Sequence, residues 1–200
     1  MDANVLFSRT TRDWLFLLRQ ETDSMFQVHS TEDVLAETLY NLRRANPGWD
    51  GARTARLRIL LTENLDEILQ DFDGSIEYVG KDPNDCHVHA AAVACKADIL
   101  LTADKGLAYT ADADSLPYSV YTPDEFFVLI DDSTPMSVQR VTENQRRYWA
   151  DVAANGKTTK ALAGALIDSG CPDFAVRVHG HLRTLSGPSA VKPTAQSLKR

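Results

Sequence analysis

Short apolar runs of strand length alternate along this chain with longer stretches of helical period, and this alternation restricts the fold more than any other feature. Val34, Leu35, Thr38, Leu39 and Leu42 fall on one stripe of a helix predicted over 31–44, capped by Ser30 and stopped by Asn46-Pro47-Gly48. A third helix, about 52–70, would bury Leu57, Leu60, Leu61, Leu65, Ile68 and Leu69. Trp14 to Leu18, after Thr10-Thr11-Arg12-Asp13, reads as an earlier capped helix. Strand-like runs stand at 25–29, weakly at 76–79, and again at 99–102 and 118–121. Between them an alanine-rich helix, 85–96, has side chains small enough to lie close against a sheet. Thr122-Pro123-Asp124-Glu125 supplies the cap, proline and acidic first turn of a helix to about 130. Helices alternating with short apolar strands make an α/β fold: a parallel sheet with helices on both faces.

After Asp131-Asp132-Ser133-Thr134-Pro135 the pattern changes. Segments 137–154, 158–169 and 173–185 are predicted helical with no strand between them, and the residues after Ser186 are polar. The expected organisation is an α/β domain over 1–132, an all-α extension over 133–186 and a disordered tail over 187–200.

Composition narrows the setting. The chain is 44% apolar and 24% charged, and no apolar run is long enough to span a bilayer. Met1 is followed at once by Asp2 and Asn4, which is unlike a signal peptide. Three irregularly spaced cysteines make no disulfide framework, so a reducing cytoplasm is the expected compartment. The net charge of −7 is unevenly divided: Lys157 onward carries +5, leaving −12 for the residues before it. An acidic body with a basic end suggests two partners, or only a solvated acidic surface. In the basic end, Arg177, His179 and Arg183 are either nucleic-acid contacts or a solvated helix face.

Phosphodiester cleavage needs an activated water and neutralised charge on the phosphoryl group, which Mg²⁺ or Mn²⁺ supplies when held by oxygen ligands. In a parallel α/β sheet such ligands gather beyond the carboxyl ends of the strands. Asp104 directly follows the run ending at Thr102, Asp85 opens the alanine-rich helix, and Asp2 precedes an apolar pair and a helix. Glu37 interrupts the stripe of the 31–44 helix, where a carboxylate needs a partner or an exposed edge. Taken singly each has a blander role: Asp85 a helix cap, Glu37 an edge residue, Asp104 a turn residue.

Four blocks in order resemble the PIN-domain family over about residues 2–130. Asp2-Ala3-Asn4-Val5-Leu6 resembles its opening D-x-N motif, and Ser30 to Glu37 its S-x-x-x-L-x-E helix. Asp82-Pro83-Asn84-Asp85 through Ala92 resembles its third block, and Leu101-Thr102-Ala103-Asp104 its T-x-N/D strand end. The nearest likeness is to virulence-associated toxin-type bacterial proteins. It implies a Mg²⁺- or Mn²⁺-dependent ribonuclease with Asp2, Glu37, Asp85 and Asp104 as catalytic metal ligands. Asn4 and Thr102 would support them. Asp82 is the alternative third carboxylate, and His89, one turn after Asp85, would sense the metal or pair with that carboxylate. The partners so implied are RNA, an antitoxin protein and a second copy of the chain. The competing reading is an inactive PIN-like module that binds a protein partner.

The resemblance departs at the start. In PIN domains the first aspartate closes a buried central strand, whereas only Met1 stands before Asp2. A strand of about four apolar residues, each worth roughly 1.5–3 kcal/mol, forgoes about 6–12 kcal/mol. The expectation is a start upstream of Met1 or else a defective sheet, with the α-amino group beside the metal site. Zinc is not expected: His87 and His89 point to nearly opposite helix faces, and no cysteine pair completes a tetrahedral set. Neither a Gly-x-Ser-x-Gly elbow nor a Walker or Rossmann glycine pattern is present.

Overall fold

A computed structural model describes residues 1–23, 25–78, 85–104 and 116–186. Its elements are helices α1 (Ala3–Phe7) and α2 (Arg9–Glu21), strand β1 (His29–Thr31), helices α3 (Glu32–Ala45) and α4 (Gly51–Glu63), and strand β2 (Glu67–Leu69). Then come α5 (Cys86–Ala94), β3 (Ile99–Leu101), β4 (Ser119–Tyr121), α6 (Pro123–Ser133), α7 (Pro135–Ala154), α8 (Leu162–Asp168) and α9 (Pro172–Leu185). The fold is α/β, and every strand pairing among the described residues is parallel. β1 pairs with β2, His29 opposite Glu67, and β3 with β4, Ile99 opposite Ser119.

The expected helix over 52–70 ends early. The Asn64 side chain donates to Leu60 O at 2.8 Å and its N–H to Leu61 O at 3.3 Å, which closes the helix. Asp66 then locks the following residues into a sheet. Its N–H donates to Val28 O at 2.9 Å, its carboxylate accepts from Val28 N at 2.7 Å, and Arg19 pairs with it. Ile68 and Leu69 continue the helical spacing of Leu61 and Leu65 by chance, and pairing with β1 outweighs it. Other expectations shift for local reasons. The strand placed at 25–29 is found at 29–31, because Val28 is the first residue that Asp66 engages. Thr31, not Ser30, caps α3, accepting from Val34 N at 3.2 Å; Ser30 lies buried within β1. Ser8 starts α2 by accepting from Thr11 N at 3.3 Å. Residues 76–78 form no strand, and Val79, the 81–84 turn and the 187–200 tail lie outside the described residues.

The C-terminal helices share the core of the α/β elements. Trp14 of α2 meets Phe174 of α9 edge-on at 5.0 Å, and Phe127 of α6 meets the same ring at 5.1 Å. Val138, Leu166 and Val178 are fully buried in that cluster. The start of α9 lacks a local cap; instead Asp124 of α6 accepts from Asp173 N at 3.1 Å and Phe174 N at 2.8 Å. Among the described residues no helix is long and apolar enough to cross a membrane.

Candidate active site

Asp2 lies where the chain passes between the ends of β1 and β3. Its N–H donates to Leu101 O at 3.0 Å, and the Met1 α-amino group donates to His29 O at 3.1 Å. That ammonium is buried and its pKa is lowered: desolvation dominates, opposed by the neighbouring Asp2 carboxylate.

The Asp2 carboxylate is itself buried, 8% exposed, and strongly braced. Thr102, fully buried at the end of β3, donates its hydroxyl to Asp2 Oδ2 at 2.7 Å. The Asn4 amide, in the first turn of α1, donates to the same Oδ2 and to Thr102 Oγ1 at 3.0 Å. Asn4 Oδ1 accepts from Ala103 N at 2.8 Å, and Thr102 Oγ1 also accepts from Asp104 N at 3.0 Å. One threonine hydroxyl thus links the carboxylate of Asp2 to the backbone of Asp104, although 100 residues separate Asp2 from Thr102. A buried carboxylate needs such donors, and all of them converge on Oδ2. Oδ1 accepts no hydrogen bond from the described residues.

The other expected ligands are placed as follows. Glu37 is exposed on α3 and accepts from Asn41 Nδ2 at 3.5 Å. Its neighbour Thr38 is fully buried, with its hydroxyl 3.5 Å from Ala3 O, so this turn of α3 packs against the residues that follow Asp2. Asp85 is half-buried at the start of α5, where its side chain makes no capping bond; Tyr78 donates its hydroxyl to Asp85 Oδ2 at 3.4 Å. Asp82 lies outside the described residues.

His89 is buried in a neighbouring aromatic setting. Its Nδ1 lies 2.7 Å from the Tyr118 hydroxyl, and its ring stacks obliquely on Tyr78 at 5.5 Å. Burial lowers its pKa, opposed by a hydrogen bond that the ring donates to the Glu77 backbone. The same burial pushes the Tyr118 hydroxyl up to about 12. Sequence reasoning had no signal for Tyr78 or Tyr118, which reach Asp85 and His89 from loop positions with no characteristic spacing. In the basic end, Arg177 is held by Asp131 at 3.5 Å and Asp132 at 3.0 Å, and His181 lies 2.6 Å from Asp131.

The oxygen donors Asp2, Glu37, Asp85 and Asp104 are the right type for Mg²⁺ or Mn²⁺. Among the described residues, however, no three His, Cys, Asp or Glu side chains stand close enough together to hold a metal ion. What the fold has gathered is one braced carboxylate with an open oxygen, and the backbone of a second acid attached to the same brace.

A family model of the PIN domain matches residues 1–106, just over half of the chain. Searches of curated proteins and of solved structures find no match.

Proposed function

Because the chain belongs to the PIN-domain family, whose members are generally nucleases, we propose that it is a metal-dependent endoribonuclease acting in the cytoplasm as the toxin of a toxin–antitoxin pair. The observation that carries this reading is the network joining Asp2, Asn4, Thr102 and Asp104. It fixes one carboxylate through Oδ2 alone and leaves Oδ1 for a ligand. Asp2, Glu37, Asp85 and Asp104 are the proposed catalytic and metal-holding acids, with Asp82 the alternative third. A bound Mg²⁺ or Mn²⁺ supplies positive charge against the phosphodiester and makes a water easier to deprotonate.

The chain's own contribution is orientation. Thr102 and Asn4 both donate to Asp2, so the carboxylate cannot rotate away, and Thr102 accepts from Asp104 N, so the second acid follows the first. Removal of such supporting groups costs about 10–100-fold in metal affinity or activity. RNA as substrate, an antitoxin partner and a second copy of the chain belong to the same proposal.

The test is incubation of the full chain with mixed RNA and Mg²⁺ or Mn²⁺, with and without EDTA. It is repeated for Asp2→Asn, Asp85→Asn and Asp104→Asn proteins of unchanged melting temperature. Cleavage lost with chelator and with each substitution supports the reading. Cleavage that survives all three substitutions rejects it. The lack of a three-acid cluster among the described residues favours a second reading, an inactive PIN-like module that binds a protein partner. Absence of cleavage with either metal, together with no Mn²⁺ binding by calorimetry, would decide for that module.

A further inference from the structure

The acidic body of the chain contains a basic island. Residues 38–62 hold five arginines (Arg43, Arg44, Arg53, Arg56 and Arg58) against a single carboxylate, Asp50, a charge of +4 in a chain of −7. The island is the hairpin of α3 and α4. Its one acid is already used as the cap of α4, accepting from Arg53 N at 2.6 Å.

All five arginines are exposed, and four of them have no ion pair among the described residues. Every arginine of α2 and α7, by contrast, reaches a carboxylate. Arg58 pairs with Glu32 at 3.0 Å, but both side chains are half-exposed, and a pair of this kind contributes little and can exchange. Arg43 donates to Trp49 O at 2.7 Å and to Thr54 Oγ1 at 3.4 Å, neutral partners that aim the guanidinium without cancelling its charge. Arg53 lies over the Trp49 ring, 4.3 Å from its centroid, again with its charge intact. In a chain with a surplus of acids, arginines gathered without carboxylates are placed for an anion that comes from outside.

These groups are joined in space. Arg43 and Arg58 line one recess of about 460 Å³ between α3 and α4, together with Trp49. Arg56 follows Arg53 by three residues and shares its face of α4. Arg44 follows Glu37 by seven and stands two turns further along the same face of α3, about 10 Å on at 1.5 Å per residue. Asn41, between them, donates to Glu37 at 3.5 Å. The row Glu37, Asn41, Arg44 thus leads from a proposed metal-holding acid to the arginine cluster.

We infer that the α3–α4 hairpin is a docking surface for single-stranded RNA. Its five arginines take phosphates, and the Trp49–Arg53 stack offers a platform for an unpaired base. Guanidinium forks match phosphate oxygens two at a time and their planes stack on bases; the hairpin has no lysine, which offers neither. An acidic protein would meet the same charges but gives no reason for the row to end at Glu37, whereas a strand held at the hairpin is delivered to that acid. The choice of RNA rests on the nuclease reading; the site for a polyanion rests on the placement of charge alone.

The test is binding by the full chain of a fluorescently labelled, mixed-sequence single-stranded RNA of about 12 nucleotides. EDTA is present so that metal-dependent cleavage does not intrude, and anisotropy gives the affinity over a series of salt concentrations. Arg44→Gln, Arg53→Gln and Arg56→Gln together remove three charges without breaking an ion pair or a side-chain hydrogen bond among the described residues. The slope of log affinity on log salt should flatten by about 2, three phosphate contacts at about 0.7 each, and affinity at low salt should fall roughly tenfold or more. Arg140→Gln, Arg146→Gln and Arg147→Gln on α7 remove the same charge and should leave the slope unchanged. Equal losses from the two triple variants, or an unchanged slope in the hairpin variant, overturn the inference. So does a wild-type chain that binds no RNA at low salt, which would leave an acidic protein as the hairpin's ligand. RNA bound through the hairpin but never cut with Mg²⁺ or Mn²⁺ sinks the nuclease reading and not this one. Cleavage by a chain whose hairpin variant binds RNA as tightly as wild type does the reverse.

Discussion

Replacing Thr102 with valine isolates the hydroxyl on which the candidate site is built. Valine matches threonine in shape, so packing at this fully buried position is kept while three hydrogen bonds are lost. Asp2 Oδ2 loses a donor at 2.7 Å, and Asn4 Nδ2 and Asp104 N lose an acceptor at 3.0 Å each. A hydrogen bond to a charged group is worth about 1.5–3 kcal/mol, and Asp2 is too buried for water to replace it fully. At about 2–4 °C per kcal/mol for a chain of this size, the melting temperature should fall by roughly 3–12 °C. Thr102→Ser provides the control: it keeps the hydroxyl and loses one buried methyl, costing about 0.5–1.5 kcal/mol. Differential scanning calorimetry of the three proteins gives the order wild type, then serine, then valine. A valine variant as stable as serine would refute the claim that the hydroxyl, and not packing, holds this corner. If the nuclease reading is right, RNA cleavage follows the same order, with valine down by about 10–100-fold.

Three further outcomes follow from other parts of the molecule. Asp124→Ala orphans two N–H groups at the start of α9 and should cost about 2 kcal/mol, with Asp124→Asn costing roughly half, since an amide oxygen accepts without the charge; equal losses on urea titration would contradict this. His89 has a folded pKa lowered by burial, so below its ordinary value of about 6.5 the unfolded chain takes up the proton more readily. Stability is therefore whole above that pH and declines as pH falls through the lowered folded value, and in His89→Gln this part of the acid-side decline should vanish from the pH dependence of the melting temperature. Asp66 has a pKa lowered first by its bond to Arg19, with burial opposing. Its contribution is present above the ordinary carboxylate range and disappears as pH falls through the lowered value, so the wild type should melt above Asp66→Asn at pH 7 and match it in strong acid.

Several features follow from local order alone, because their causes lie within one or two turns of chain. The stripe of α3, the Thr122–Glu125 capping box opening α6, the run feeding β3 and the three C-terminal helices are of this kind. The residue types of the site are local too: Asp2 with Asn4, and Thr102 with Asp104, stand two apart in the chain, and their motifs point to the family that the 1–106 match bears out. Long-range pairing decided the remainder. Ile68 and Leu69 continue the helical spacing of Leu61 and Leu65, and only Asp66 gripping Val28 and Arg19 carries them into β2. Asp124 caps a helix 50 residues away, and Thr102 braces a carboxylate 100 residues away; neither partner can be read from its neighbours in sequence.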